Sequence, residues 1–127
     1  MTVYRTSDDF KSHYSLQERR KQSEQIRTRY PDRVPIICDA FISPRIRSEH
    51  RPPPIDKIKY LVPIELTMGE FLYIIRKRLH LASEHALFIL VHNAVMKSER
   101  TVMDVYNEHK SEDGFLYVKY TREATFG

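Results

Sequence analysis

Residues 67–79 constrain this chain more than any other stretch. Thr67-Met-Gly-Glu70 has the spacing of a capping box, in which a threonine hydroxyl and a glutamate three residues on satisfy each other's backbone donors. Met68, Phe71, Leu72, Ile75 and Leu79 then fall at i, i+3, i+4, i+7 and i+11, which is one apolar face of a helix. Arg76-Lys77-Arg78 end the segment, where cations suit the helix dipole. A helix apolar on one side only must cover something, and the flanking sequence offers strands on both sides. Residues 34–41 and 57–63 precede it, the second alternating Ile58, Tyr60 and Val62 against Lys59 and Leu61. Residues 86–91 and 115–120 follow it, the last entered through an Asp113-Gly114 turn. The spacing therefore predicts a sheet with one main helix across a face.

Two helices are expected before the first strand, the first of them short. Ser7 with Asp8 and Asp9 suits a helix start, and Ser15-Leu-Gln-Glu18 is a second capping box, for a helix running to Tyr30 before Pro31 stops it. Apolar marks on that second helix are sparse: Leu16, Ile26 and Tyr30. Pro35 lacks a ladder donor and belongs at a strand start or an edge. A further short helix is expected over 101–109. The order is helix, helix, β-β-α-β, short helix, β. This is α+β, the order of a ubiquitin-like β-grasp: a four-stranded mixed sheet with one main helix, preceded by two N-terminal helices. Residues 1–30 read as a helical extension and 31–127 as the ubiquitin-like domain with a C-terminal tail.

The chain has 127 residues, enough for one domain with its own core. No apolar run reaches a membrane span, residues 1–9 lack the apolar stretch of a secretory signal, and a single cysteine, Cys38, fits a reducing compartment. Residues 1–51 carry 11 Lys/Arg against 7 Asp/Glu, whereas 52–127 carry 10 of each, so the net charge of +4 lies in the first two-fifths. That suggests a basic face for acidic partners, set against a merely solvated helix surface. Cys38 lies in an apolar strand, where a thiol is usually inert, so a Cys38–His109 nucleophile is not expected. The six histidines lack metal-motif spacing and no glycine-rich phosphate loop is present. Basic segments at 19–21 and 76–78 permit RNA binding, but no strand face arrays aromatics for it, and nucleic acid is not an expected partner.

The last residue, Gly127, follows the final strand by a few positions. A terminal glycine suits a chain whose own carboxylate reacts, because it has no Cβ to obstruct the acyl carbon. The other reading is an arbitrary boundary.

Several strings resemble a known family: Phe10-Lys-Ser, Arg33-Val-Pro-Ile-Ile-Cys38, Asp56-Lys-Ile-Lys-Tyr-Leu-Val-Pro63, Leu66-Thr-Met-Gly-Glu-Phe71, Ile75-Arg-Lys-Arg78, Glu108-His-Lys110 and Glu112-Asp-Gly-Phe-Leu-Tyr-Val118. They look like the autophagy ubiquitin-like modifiers, the GABARAP and light-chain-3 group, from about Phe10 to the end. Thr125-Phe126-Gly127 matches the form left after the family's processing protease has cut, with Phe126 in its recognition segment.

The resemblance implies a protein that is not an enzyme. Gly127 would be adenylated by an activating enzyme, passed through conjugating-enzyme thioesters and joined to phosphatidylethanolamine; a cysteine protease would process and deconjugate it. No other cofactor is implied. The chain would be cytoplasmic, and on autophagosomal or vesicle membranes once lipidated. Its partners would be cargo receptors and adaptors bearing aromatic-x-x-aliphatic peptides, which add to a sheet edge at 57–63. Carried over by motif, Ile26, Pro35, Ile37, Lys59, Leu61 and Phe115 would line an aromatic pocket. Tyr60, Val62, Pro63, Leu66, Phe71 and Ile74 would line an aliphatic one. Arg33, Lys57 and Arg78 would meet acidic residues of the peptide.

Departures from the family pattern stand beside this. The connection at 42–55 is about six residues longer than usual, with Arg-rich and Pro52-Pro53-Pro54 stretches; it reads as a mobile loop, an extra contact surface or a partial lid over the groove. Gln22 stands where an acidic residue is common, Leu90 replaces an aromatic, and Ala82-Ser83 replace a proline pair. The closest alternative is a peptide-binding adaptor that is never conjugated.

Overall fold

A computed structural model describes residues 4–123. Its elements, in chain order, are α1 (Ser7–His13), α2 (Leu16–Arg29), β1 (Arg33–Ala40), a single 3-10 turn (Ser48–His50), β2 (Lys59–Pro63), α3 (Met68–Arg78), β3 (Phe88–Val91), β4 (Ala94–Val95), α4 (Val102–His109) and β5 (Leu116–Thr121). The sheet order is β2-β1-β5-β3-β4. β1 and β5 form a parallel central pair and the other pairings are antiparallel. The β-grasp order expected from the sequence is thus present, with one strand more than the four expected.

The additional strand, β4, has two residues, both exposed. It closes a hairpin through His92 and Asn93, which have φ of 51° and 64°. Positive φ at both central residues is the two-residue turn that matches strand twist. So short an exposed pairing carries no apolar alternation to reveal it.

Each helix start follows from its cap. Both reciprocal bonds of the capping box form at Ser15/Glu18 and at Thr67/Glu70. In α1 the cap lies one residue earlier than expected: the Thr6 side chain accepts from the Asp9 N–H, and Ser7 is the first helical residue, buried. Ser7 is pulled inward because its N–H donates to Asp39 Oδ2 at 2.8 Å, and Lys119 Nζ donates to Ser7 Oγ at 3.0 Å.

The core lies between the β1-β5 pair and α3, where Val34, Ile36, Phe71, Ile75, Leu116, Val118 and Tyr120 are buried to 1% exposure or less. Tyr60 from β2 meets Phe71 of α3 edge-on, with ring centroids 5.9 Å apart. The other sheet face carries the N-terminal helices. Phe10 of α1 packs edge-on against Phe115 at 5.3 Å. Asp113 ties α2 to the approach to β5: its carboxylate accepts from Arg19 Nε at 2.9 Å, from the Phe115 N–H at 2.9 Å and from the Tyr117 hydroxyl. Pro35 is neither at an edge nor at the first residue of its strand. Its missing donor is harmless because pairing with β5 begins only at Ile36.

Residues 42–55 are tied to the end of β5. Ile46 and Ile55 are buried, and the Tyr120 hydroxyl donates to the Pro53 carbonyl. The connection lies against the end of β5, where Arg122 Nη1 donates to the Glu49 carbonyl at 3.1 Å and His50 Nδ1 meets Glu123 Oε1.

Candidate peptide-docking edge

β2 is an outer strand, so among the described residues one side of its backbone has no strand beside it. The hydrogen bonds flanking it identify which groups face outward. Cys38 N–H donates to the Ile58 carbonyl at 2.8 Å, and Ile64 N–H to the Asp32 carbonyl at 3.0 Å. In an antiparallel ladder the bonded positions alternate, so the even-numbered residues face β1 and the backbone groups of Lys59 and Leu61 face the free edge.

Side chains alternate as well. Tyr60 and Val62 point into the α3 core, while Lys59 and Leu61 lie on the face of the N-terminal helices. There Lys59 opposes Ile37 and Leu61 opposes Pro35 across the β1-β2 pair. The ammonium of Lys59 sits 5.7 Å from the Phe115 ring centroid and 5.6 Å from that of Phe10, and donates to Gln22 Oε1 at 2.9 Å. Burial lowers its pKa, and the partner it bonds is a neutral amide. Beside it opens a groove of about 850 Å³ walled by α2, whose lining includes Gln22, Gln25, Ile26, Tyr30 and Lys59.

The six residues expected for an aromatic pocket therefore fall in two layers. Ile26, Lys59 and Leu61 are accessible, and Leu61 is 36% exposed. Pro35, Ile37 and Phe115 are buried.

The six residues expected for an aliphatic pocket are divided. Tyr60, Val62 and Phe71 are core, Pro63 is half-buried at the end of β2, and only Leu66 and Ile74 share a wall. That wall belongs to a second hollow of about 540 Å³, completed by Tyr73 and Glu70 of α3 and by Ser98.

The three expected anion-binding cations lie at opposite ends of the edge. Arg33 opposes Pro63, whereas Lys57 precedes Lys59. Arg78 is engaged within the chain: it holds Asp56 by two bonds of 2.8 and 3.3 Å, and this pairing keeps the Asp56 carboxyl below its ordinary range. Gly127 and Phe126 lie outside the described residues.

Phe10 beneath Lys59 and Tyr30 at the groove wall were absent from the sequence-derived set. Tyr30 was findable: it stands four residues after Ile26, on the same side of a helix otherwise polar there.

A profile described as "Autophagy protein Atg8 ubiquitin like" matches residues 18–127. The chain belongs to the Atg8 family. This is the autophagy ubiquitin-like family that the sequence motifs resemble. Among its relatives, Autophagy-related protein 8 of Mycosarcoma maydis is 48% identical over 118 residues, 93% of this chain and 95% of that protein. The Autophagy-related protein 8 of Schizosaccharomyces pombe is 45% identical over 93% of each chain. The crystal structure of Trypanosoma brucei ATG8 superposes with a TM-score of 0.79 at 40% identity, covering 93% of this chain and 97% of that one.

Cys38 is fully buried, and its thiol is pushed up by burial and then by the Asp39 charge. Among the described residues, no cluster of three or more His, Cys, Asp or Glu could hold a metal ion, and no helix is long and apolar enough to cross a membrane.

Proposed function

We propose that this Atg8-family chain is a conjugated modifier with two working parts: a C-terminal glycine that receives phosphatidylethanolamine, and a β2 edge that receives aromatic-x-x-aliphatic peptides of cargo receptors and adaptors. The observation that carries the peptide half is the free edge itself. Lys59 and Leu61 present their backbone groups to that edge and their side chains to the face of the N-terminal helices, where Lys59 and α2 line one groove. An extended peptide there gains main-chain hydrogen bonds as an added strand. Its aromatic residue inserts beside Ile26 and Leu61, and its aliphatic residue sits further along, toward Leu66 and Ile74. Affinity of roughly micromolar order is expected, about −8 kcal/mol, because a short peptide loses its freedom on binding.

The conjugation half rests on family membership and on the chemistry of Gly127. An activating enzyme adenylates its carboxylate, conjugating enzymes carry it as a thioester, and a cysteine protease reverses the final amide. The chain supplies the acyl group and catalyses nothing. Two acyl chains at about 0.8 kcal/mol per buried CH₂ make a durable anchor where one chain is marginal. The protein then passes from cytoplasm to autophagosomal membrane.

The test is reconstitution with the cognate activating and conjugating enzymes, ATP and liposomes containing phosphatidylethanolamine, read by intact mass. A gain of one phospholipid that disappears in Gly127→Ala is expected. No adduct, with peptide binding intact, would replace this proposal with an unconjugated adaptor.

A further inference from the structure

β1 and β5 are parallel, with Ala40 opposite Tyr120. Two segments consequently leave the sheet at the same end: the 42–55 connection after β1 and the tail after β5. They are also bonded together, through Arg122 to the Glu49 carbonyl, His50 to Glu123 and Tyr120 to the Pro53 carbonyl.

The connection has a definite inside and outside. Ile46, Pro52 and Ile55 are buried, whereas Arg45, Arg47 and Arg51 are exposed. The alternation at 45–47 turns one isoleucine in and two arginines out. Glu49 is the only acid in 42–55, and it meets Arg47 at 3.2 Å, both largely in solvent. Ile42, at the start of the connection, is 66% exposed, the most exposed large apolar side chain among those described.

We propose that residues 42–55 form a contact surface for an anionic bilayer. The inference rests on the conjugation of Gly127 to a membrane lipid proposed above. Only residues 124–127 separate Glu123 from the anchored bond, and four residues span at most about 14 Å. Even fully extended, that reach is under two Debye lengths, each about 8–10 Å near physiological salt. Conjugation therefore holds this end of the sheet within range of the surface potential. Three arginines on a fixed loop supply attraction to anionic headgroups, and Ile42 supplies an apolar side chain that inserts at the interface. The loop thereby sets which side of the protein faces the membrane.

The test uses the unconjugated full chain, so it does not depend on the enzymes. Binding is measured by co-sedimentation with vesicles of phosphatidylcholine alone and of phosphatidylcholine with phosphatidylserine. Expected is binding to the anionic vesicles only, abolished at high salt, and reduced on the order of a hundredfold in R45Q/R47Q/R51Q. The variant K77Q/K97Q/K110Q removes the same charge elsewhere and is expected to retain most binding. Equal loss in both variants, or no binding by the parent chain, overturns the proposal. So does a triple-arginine variant that loses affinity for single-stranded RNA while binding vesicles as before. Lipid transfer to Gly127 is read separately by mass. Loop-dependent vesicle binding without transfer refutes the conjugation proposal alone, and transfer with vesicle binding indifferent to the three arginines refutes this one alone.

Discussion

Arg19 and Asp113 meet at 2.9 Å although 94 positions separate them, and both are largely withdrawn from solvent, at 13% and 1% side-chain exposure. This pair joins the N-terminal helices to the approach to the last strand. Removing one member strands the other, which is where buried ion pairs have their largest effect. Asp113→Ala should destabilise the fold by about 3 kcal/mol, checked by urea denaturation. Arg19→Met should cost less, because Asp113 keeps the Phe115 N–H and the Tyr117 hydroxyl.

Gly114 holds φ at +87°, and a Cβ built there would lie 2.3 Å from Ser23 Oγ. Strain and collision act together, so Gly114→Ala should lose about 2 kcal/mol or more. Ser23→Ala in the same background should restore part of that loss, since it removes the nearer atom. Thermal unfolding of the four members of this cycle measures the coupling. Additive losses would contradict the geometry.

Lys59 carries its charge beside a neutral partner, Gln22. Its folded pKa is lowered, so below the ordinary lysine range the unfolded chain holds the proton more readily; the group opposes folding at neutral pH, and stability rises as pH climbs toward that range. Gln22→Glu supplies a carboxylate. It should add about 0.5–1 kcal/mol at neutral pH, roughly 2–4 °C in Tm, and the gain should vanish as pH falls through the carboxylate range near 4. The same change should weaken peptides that are acidic next to their aromatic residue. A melt series across pH and a peptide titration check the two halves.

Leu61 lies on the outer face of β2 and is one-third exposed. Leu61→Ser should therefore leave Tm within about 2 °C. It should nevertheless weaken binding of aromatic-x-x-aliphatic peptides by about tenfold or more, as expected for an anchor contact. Isothermal titration reads this directly. Unchanged affinity would remove this edge from consideration.

The β3-β4 turn places a histidine and an asparagine at positive φ. His92→Asn with Asn93→Gly supplies the pair that this turn prefers and should stabilise by about 0.5–1 kcal/mol, measured by thermal unfolding.

The parts of this fold that were legible in the sequence are those set by local chemistry. Ser15/Glu18 and Thr67/Glu70 announce helix starts because the capping partners are three residues apart. Tyr60 and Val62 announce a buried face because strand period is two. What was not legible depends on distant partners. Nothing near Ser7 in sequence shows that Asp39 draws it inward and moves the cap to Thr6. Nothing near Pro53 shows that Tyr120 holds the long connection against β5. The site was legible in the same measure. Lys59 and Leu61 follow from alternation, but only the pairing of β1 with β2 and the packing of α1 and α2 separate the accessible Ile26 from the buried Ile37 and Phe115. Arg78 looked available for a ligand until Asp56 was placed beside it.

The parallel pair at the centre of the sheet also bears on how the protein is made. β1 is the first strand synthesised and β5 the last, and they are neighbours. While the chain grows, β1 and β2 can pair, but the flank of β1 that β5 will occupy stays open until residues 116–121 have left the ribosome. Closure across so much intervening chain is slow, and it exposes an unpaired strand in the meantime. Nascent chains cut short before β5 would lack Leu116, Val118 and Tyr120 from the hydrophobic centre, so truncated products should be recognised by chaperones and proteases as unfolded rather than persist as partial domains.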